Sequence, residues 1–257
     1  MKNSLIHRAA PVLRPGGHDT KLKEVKQAFN QASRRVLLFL GVLIINAATL
    51  VEAVAAPSAQ AILASAREQV ARQQVELEGQ LREKDTIIPF RLTQTGPVIR
   101  YSFTNPAEAL QLRLGDSGAQ LDAITDAGVD KVAGREFTQN VRGTAITYED
   151  LALRFIYWTN VKVVGEDYIN TRRVWKLELQ PPDRQSLYSR VFLWCEQQSS
   201  ALMRMEGYDW NGKLVKRFEV VSVQKVEGRY LLKQMRIEQI RPDNGRVQAR
   251  TYLEIKK

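Results

Sequence analysis

The clearest signal in this chain is a two-residue alternation of apolar and polar side chains. Val75-Glu76-Leu77-Glu78-Gly79-Gln80-Leu81 and Leu110-Gln111-Leu112-Arg113-Leu114 both alternate strictly, which predicts strands buried on one face. Between them, residues 87–94 and 97–103 form two β-rich runs joined at Gly96-Pro97. Further along, strands are predicted over 174–179, 189–196, 202–210, 214–226, 230–241 and 247–255. Pro181-Pro182-Asp183 ends the first of these, and Asn211-Gly212, Glu227-Gly228 and Asn244-Gly245 are hairpin-turn signals. In the last strand Val247, Ala249, Thr251, Leu253 and Ile255 share one face, and Gln248, Arg250, Tyr252 and Glu254 the other. One face meets a core and the other meets water.

Helical spacing is confined to two short stretches. Ser58 can cap a helix over about 58–73, in which Ile62, Leu63, Ala66 and Val70 recur at helical spacing. Thr147 and Asp150 stand in a capping-box-like relation that predicts a second helix near 147–154, continued by the apolar patch Phe155-Ile156-Tyr157-Trp158. That patch suits a lid or a helix packed on the sheet. No alternating βαβ pattern and no Gly-rich phosphate loop occurs. About ten or eleven consecutive strands with tight turns imply an antiparallel meander. A single sheet of that size must curl to bury its apolar side. The expected class is mainly β (α+β), a curved antiparallel sheet or incomplete barrel wrapped around its helices.

The segment before the first helix reads as an address. Residues 1–33 are polar, then Arg34-Arg35 precede the apolar run Val36 to Ile45, and Ala53-Val54-Ala55 fits a small-x-small cleavage pattern. A basic region, a short apolar run and an Ala-x-Ala site form a secretory signal over about 34–55, with cutting before Ala56 and a periplasmic product. The apolar run is short for a membrane span, and an uncleaved anchor stays open as an alternative. Ser33-Arg34-Arg35 half resembles a twin-arginine signal, which leaves the export route open. The chain therefore divides into a 1–55 extension and a 56–257 domain.

This division changes the meaning of the charge. Residues 1–56 hold 8 of the 38 Lys/Arg and 3 of the 28 Asp/Glu, so half of the formal +10 lies in the leader. The remainder is mildly basic without a Lys/Arg run, which argues against a nucleic-acid partner. Both histidines, His7 and His18, lie in the extension. A chain that starts at Ala56 has no histidine for a triad, a Cys-His pair or a metal site. Cys195 is the sole cysteine and lies in an apolar run, as a small buried hydrophobe.

Candidate chemistry follows from what is left. Trp175, Leu177, Leu179, Phe192, Trp194, Met203 and Met205 cluster where a cavity wall would lie, with Phe155 and Trp158 beside them. Met adapts its shape and suits flexible acyl chains. The same residues also suit an ordinary core. Asp126, Asp130, Glu149, Asp150, Glu166 and Asp167 show no spacing that a catalytic pair requires, and read as solvated surface or caps. Ser186 and Ser189 lack a base and a nucleophile-elbow context. The reading is of a binding protein rather than an enzyme, with no cofactor and no metal.

Trp175-x-Leu177-x-Leu179, Pro181-Pro182 and Tyr188-x-x-Val191-x-x-Trp194 together resemble the LolA-like outer-membrane lipoprotein-sorting family. Met205-Glu206-Gly207-Tyr208-Asp209-x-x-Gly212-Lys213-Leu214 followed by Lys216, and Tyr148-Glu149-Asp150-Leu151, add to the resemblance, which spans 58–257 and is firmest over 147–257. It implies an unclosed LolA/LppX-like β-barrel with one or two short helices as a lid. It also implies a periplasmic carrier whose apolar cavity shields lipoprotein or other lipid acyl chains on the way to the outer membrane. An inner-membrane transporter and an outer-membrane acceptor are the implied partners. The alternative is an adaptor that docks on an envelope transporter and encloses no ligand. An open apolar volume of several hundred Å³ favours the carrier, and a filled interior favours the adaptor.

Overall fold

A computed structural model describes residues 56–226 and 228–256; the secretory signal expected over about 34–55 lies outside them. Helix α1 (Ala59–Ala71) leads into one antiparallel sheet. Its first meander comprises β1 (Gln74–Glu83), β2 (Thr86–Thr95), β3 (Val98–Thr104), β4 (Ala107–Leu114), β5 (Ala119–Thr125) and β6 (Gly128–Lys131). A crossover through residues 132–159 carries the single turn α2 (Tyr148–Leu151) and three 3-10 turns. The second meander comprises β7 (Asn160–Ile169), β8 (Arg172–Gln180), β9 (Arg190–Glu196), β10 (Leu202–Tyr208), β11 (Leu214–Val226), β12 (Arg229–Ile240) and β13 (Val247–Ile255).

The strand order is β6-β5-β4-β3-β2-β1-β13-β12-β11-β10-β9-β8-β7. The two meanders therefore meet where the first strand pairs with the last, from Gly79 opposite Ile255 to Glu83 opposite Thr251. Strands β6 and β7 remain as the two free edges, and the sheet is an unclosed barrel. The chain passes from one edge to the other through the crossover, whose apolar side chains pack on the inner faces of the sheet.

Inward faces follow the alternation. Leu110, Leu112 and Leu121 are fully buried under the first meander; Leu177, Leu179, Val191 and Leu193 are fully buried under the second. Outward faces carry cross-strand ion pairs. Glu219 takes Arg204 at 2.9 Å and Arg236, Glu238 takes Arg250 at 2.8 Å, and Glu254 takes Arg82 at 2.6 Å. Rows of charge on this face suit water and would be costly against hydrocarbon. No helix among the described residues is long and apolar enough to cross a membrane.

The sheet has thirteen strands where the sequence predicts ten or eleven. Strand β5 was hidden because Asp122 is buried beside Leu121, stabilised by Arg113 at 2.6 Å, and so breaks the alternation. All four residues of β6 are exposed, so no apolar pattern marks it. In β7 a bulge between Val163 and Gly165 interrupts the alternation begun by Val161 and Val163. The helix expected over 147–154 is shorter. Leu153 takes a left-handed conformation (φ 51°) that ends α2 and redirects the chain into the 3-10 turn Arg154–Tyr157.

The seam between β1 and β13 has a pH-dependent fastening. The Glu254 carboxylate accepts from Arg82, Gln80 and Gln234, tying β13 to both neighbours. Chiefly the Arg82 hydrogen bond holds its pKa down, to about 2 from 4.5. A depressed carboxylate stabilises the fold above its unfolded pKa and ceases to as pH falls towards the folded value. Thermal melts should therefore lose stability between pH 4.5 and about 2. Glu254→Gln should melt lower at neutral pH and show a shallower decline across that window. Parallel declines in the two proteins would show that the seam is not what titrates.

Candidate ligand site and its latch

Two apolar clusters occupy the concave side. The first joins the inner faces of β1 to β5, β12 and β13 with Val132, Val141, Ala145, Ile146 and Ala152 of the crossover. The second joins β8, β9 and β10 with Ala59, Ile62 and Leu63 of α1 and with Phe155, Ile156 and Trp158. The crossover thus supplies apolar side chains to both. Between its Val141 and Ile146 and the sheet residues Leu81, Phe90, Phe103 and Leu253 only about 10 Å³ stays open. A single water needs about that volume, so the crossover packs closely on this part of the sheet.

The structure divides the nine residues picked from the sequence. Phe155, Trp158, Leu177, Leu179 and Met205 line the second inner cluster, and Trp175 packs against it half-buried. Phe192, Trp194 and Met203 do not join them. They group with Ile169 and Val174 in a separate patch. Leu193 and Cys195 of β9 face inward, so Phe192 and Trp194 must face outward. There Trp194 Nε1 donates to Asp167 at 3.0 Å, and the Lys176 ammonium lies 4.8 Å from the Trp194 ring and 4.9 Å from the Phe192 ring. Met203 shares a sequence parity with Met205, but a bulge between Leu202 and Arg204 breaks the register that would have kept the two together. Burial pushes the Cys195 thiol up to about 12, which makes it an inert filler.

The most organised feature of the interior is polar. Asp150 is 4% exposed and Lys216 is 5% exposed, and the Lys216 ammonium sits 3.1 Å from Asp150 Oδ2. Asp150 Oδ2 also accepts from the Thr147 N–H at 2.9 Å, and Oδ1 accepts from the Tyr188 hydroxyl at 2.6 Å. Lys216 donates in addition to the Ala145 carbonyl. Next to Asp150, Glu149 accepts from the Ser186 hydroxyl and from the Leu187 N–H at 2.8 Å. Burial raises the Glu149 pKa above its ordinary 4.5. On the far side of the crossover, the Ala145 N–H donates to Glu83 and to Thr251 Oγ1, each at 2.9 Å. The crossover is thereby latched to β1, β11, β13 and the 181–189 loop by discrete hydrogen bonds.

Glu149 and Asp150 are not the solvated surface that their sequence context suggested, although Asp150 does form the expected capping box with Thr147. Ser186 is a hydrogen-bond donor rather than a nucleophile. The signal for this network was present in the sequence. Glu149, Asp150, Tyr188, Gly207 and Lys216 are the positions that carry the family resemblance, and the fold brings them together. Gly207 is needed because a Cβ there would lie 2.5 Å from the Tyr188 ring. Gly79 stands in the same relation to Phe90 in the other half, also at 2.5 Å. Every carboxylate oxygen of Glu149 and Asp150 is engaged in a hydrogen bond or ion pair, so the arrangement holds the segment in place. Among the described residues no group of His, Cys, Asp and Glu is placed to hold a metal ion.

The unclosed antiparallel barrel with its short helices matches the LolA-like fold. An outer membrane lipoprotein-sorting protein domain from Vibrio parahaemolyticus superposes with a TM-score of 0.59 at 17% identity, over 76% of this chain and 90% of that one. A LolA superfamily protein from Nitrosomonas europaea gives 0.56 at 18%, over 79% and 93%, and a DUF1329 family protein from Desulfovibrio piger gives 0.54 at 18%, over 77% and 91%. At these identities the likeness is one of fold. No curated protein matches the chain in sequence. The family described as "-like: Uncharacterized protein" matches residues 127–257, about half of the sequence, and the chain belongs to that family.

Removing one partner of a buried pair leaves the other charge uncompensated, at about 3–5 kcal/mol. Lys216→Met should therefore lower unfolding stability in urea by about 3 kcal/mol, and adding Asp150→Asn should recover part of the loss. Gly207→Ala should cost about 1–3 kcal/mol by displacing the Tyr188 ring. A Lys216→Met protein with unchanged stability would show that the pair contributes nothing to holding the crossover.

Proposed function

We propose that this protein binds an acyl chain of a lipid or lipoprotein inside the barrel, in place of its own crossover, and carries it within the cell envelope. The observation that supports this most is the apolar lining of both inner faces, covered in large part by the crossover rather than by strands. The sheet forms an apolar container on both inner faces, and much of what occupies it is one connecting segment held by a few polar contacts. A segment fixed at identifiable points can leave as a unit, which packed strands cannot do. Each CH₂ that moves from water into such a container contributes about 0.8 kcal/mol, so an acyl chain can offset the loss of the crossover's own contacts. The LolA-like fold and the sequence's secretory signal point to the periplasm. Transfer towards the outer membrane is the route that the lipoprotein-sorting domain from Vibrio parahaemolyticus suggests.

A second reading rests on a specific observation as well. Only about 10 Å³ stays open between the crossover and the first meander, and the free edges β6 and β7 offer unpaired backbone to a partner. In that reading the chain is an adaptor on an envelope transporter.

Uptake of a fluorescent fatty-acyl probe separates the two. The carrier should bind the probe with blue-shifted emission, and Lys216→Met should take it up faster by weakening the latch. Leu177→Asp or Met205→Asp should abolish uptake in protein that remains folded by circular dichroism. Failure of both the parent and Lys216→Met to bind the probe, with the folds intact, would leave the adaptor reading standing.

A further inference from the structure

A well-defined concavity lies at one end of the second meander, lined by Lys213, Leu214, Arg217, residues 240–245 and Val247. Successive hairpins of a meander alternate between ends, so the turns at 181–189, 209–213 and 241–246 fall at one end of the second meander. A groove of about 420 Å³ opens between the last two of these turns. Leu214, Ile240 and Val247 provide its apolar wall, and Lys213, Arg217 and Arg241 its cations. Arg217 is occupied by Glu206 at 3.1 Å and Glu238 at 3.6 Å. Lys213 and Arg241 are exposed and make no ion pair among the described residues, and Arg246 beside them is likewise unpaired.

Acidic groups at this end are few and mostly engaged with backbone. Asp183 accepts from the Gln185 N–H at 2.8 Å; Asp209 accepts from the N–H groups of Asn211 and Lys213 at 2.9 and 2.8 Å. Asp243 is the one acid lining the groove. Beside the groove Trp210 is 43% exposed, with the Arg184 guanidinium 5.0 Å from its ring. An exposed indole flanked by unpaired cations and an apolar groove matches the chemistry of a lipid interface, where Trp sits at headgroup level and Lys and Arg meet phosphate.

We infer that this end of the protein docks on an anionic lipid surface, with one phosphate headgroup seated in the groove between Lys213 and Arg241. The inference extends the proposed carrier function and rests on it for its purpose: a carrier of acyl chains must deliver them at a membrane. The docking face is also wired to the interior. Trp210 Nε1 donates to the Ser186 carbonyl at 3.1 Å, and the Ser186 hydroxyl donates to Glu149 of the latched crossover. A contact that moves Trp210 therefore acts on the residue that holds the crossover, and links arrival at a surface to opening.

Flotation of the full chain with vesicles tests this. Vesicles of phosphatidylcholine with about one third phosphatidylglycerol should carry the protein, pure phosphatidylcholine should carry much less, and salt should weaken the difference. Lys213→Glu with Arg241→Glu should reduce the phosphatidylglycerol-dependent binding about tenfold or more at an unchanged melting temperature. Because the apolar run at 36–45 is common to parent and variant, the difference reports on the groove. Equal binding by the two proteins would overturn the inference. So would competition by micromolar glycerol phosphate, which would make the groove a site for a free anion. No acyl probe is used, so a parent protein that takes up the probe but does not float with the vesicles rejects only the docking face, and one that floats but takes up no probe rejects only the carrier.

Discussion

Everything in this fold depends on the pairing of the first strand with the last. Without it the chain is two independent meanders, each with one apolar face and no partner layer. The β1–β13 ladder joins them into one continuous surface that curls and creates an inside. Once that inside exists it must be occupied, because a packed interior tolerates few voids. The helix α1 covers part of it, and the crossover from β6 to β7 has to supply the rest. The geometry of the sheet thus dictates that a connecting segment, rather than a regular element, becomes part of the core.

A connecting segment brings polar backbone and charged residues with it. Within an apolar interior these are costly unless every group finds a partner. The Asp150–Lys216 pair, Tyr188, Ser186 and the Glu83–Thr251 contact answer that demand. Such a network adds little net stability compared with well-packed hydrophobes. What it adds is one defined position for the crossover, since no slipped arrangement satisfies the same donors and acceptors.

The strands that alternate cleanly, such as β1, β4 and β13, were legible because one face meets water and the other meets the core. The elements that escaped detection each lack that contrast. Strand β6 has no buried side, β5 buries Asp122 on a partner from another strand, and β7 changes face at a bulge. The candidate site was half legible for a related reason. Leu177, Leu179 and Met205 face the inner cluster, as their hydrophobicity and spacing suggest, but hydrophobicity alone cannot say which side of a strand a residue takes. Trp194 and Phe192 are apolar and outward, covered by Lys176 and Arg204 rather than by a core. The latch was invisible as chemistry because its members are far apart in sequence. Asp150 and Lys216 become neighbours only when the crossover folds back under β11.

The seam also constrains how the protein comes to exist. Gly79 waits for Ile255, so almost the whole domain must be present before the two halves can close. Contacts of such long sequence separation slow folding and keep strand edges exposed in the meantime. A nascent chain cannot close this barrel until β13 has left the ribosome. Until then the sheet stays open, with the amphipathic strands of its first half available to chaperones and to each other. Arg82 and Glu254, which clasp across the seam, meet only at the end of that interval.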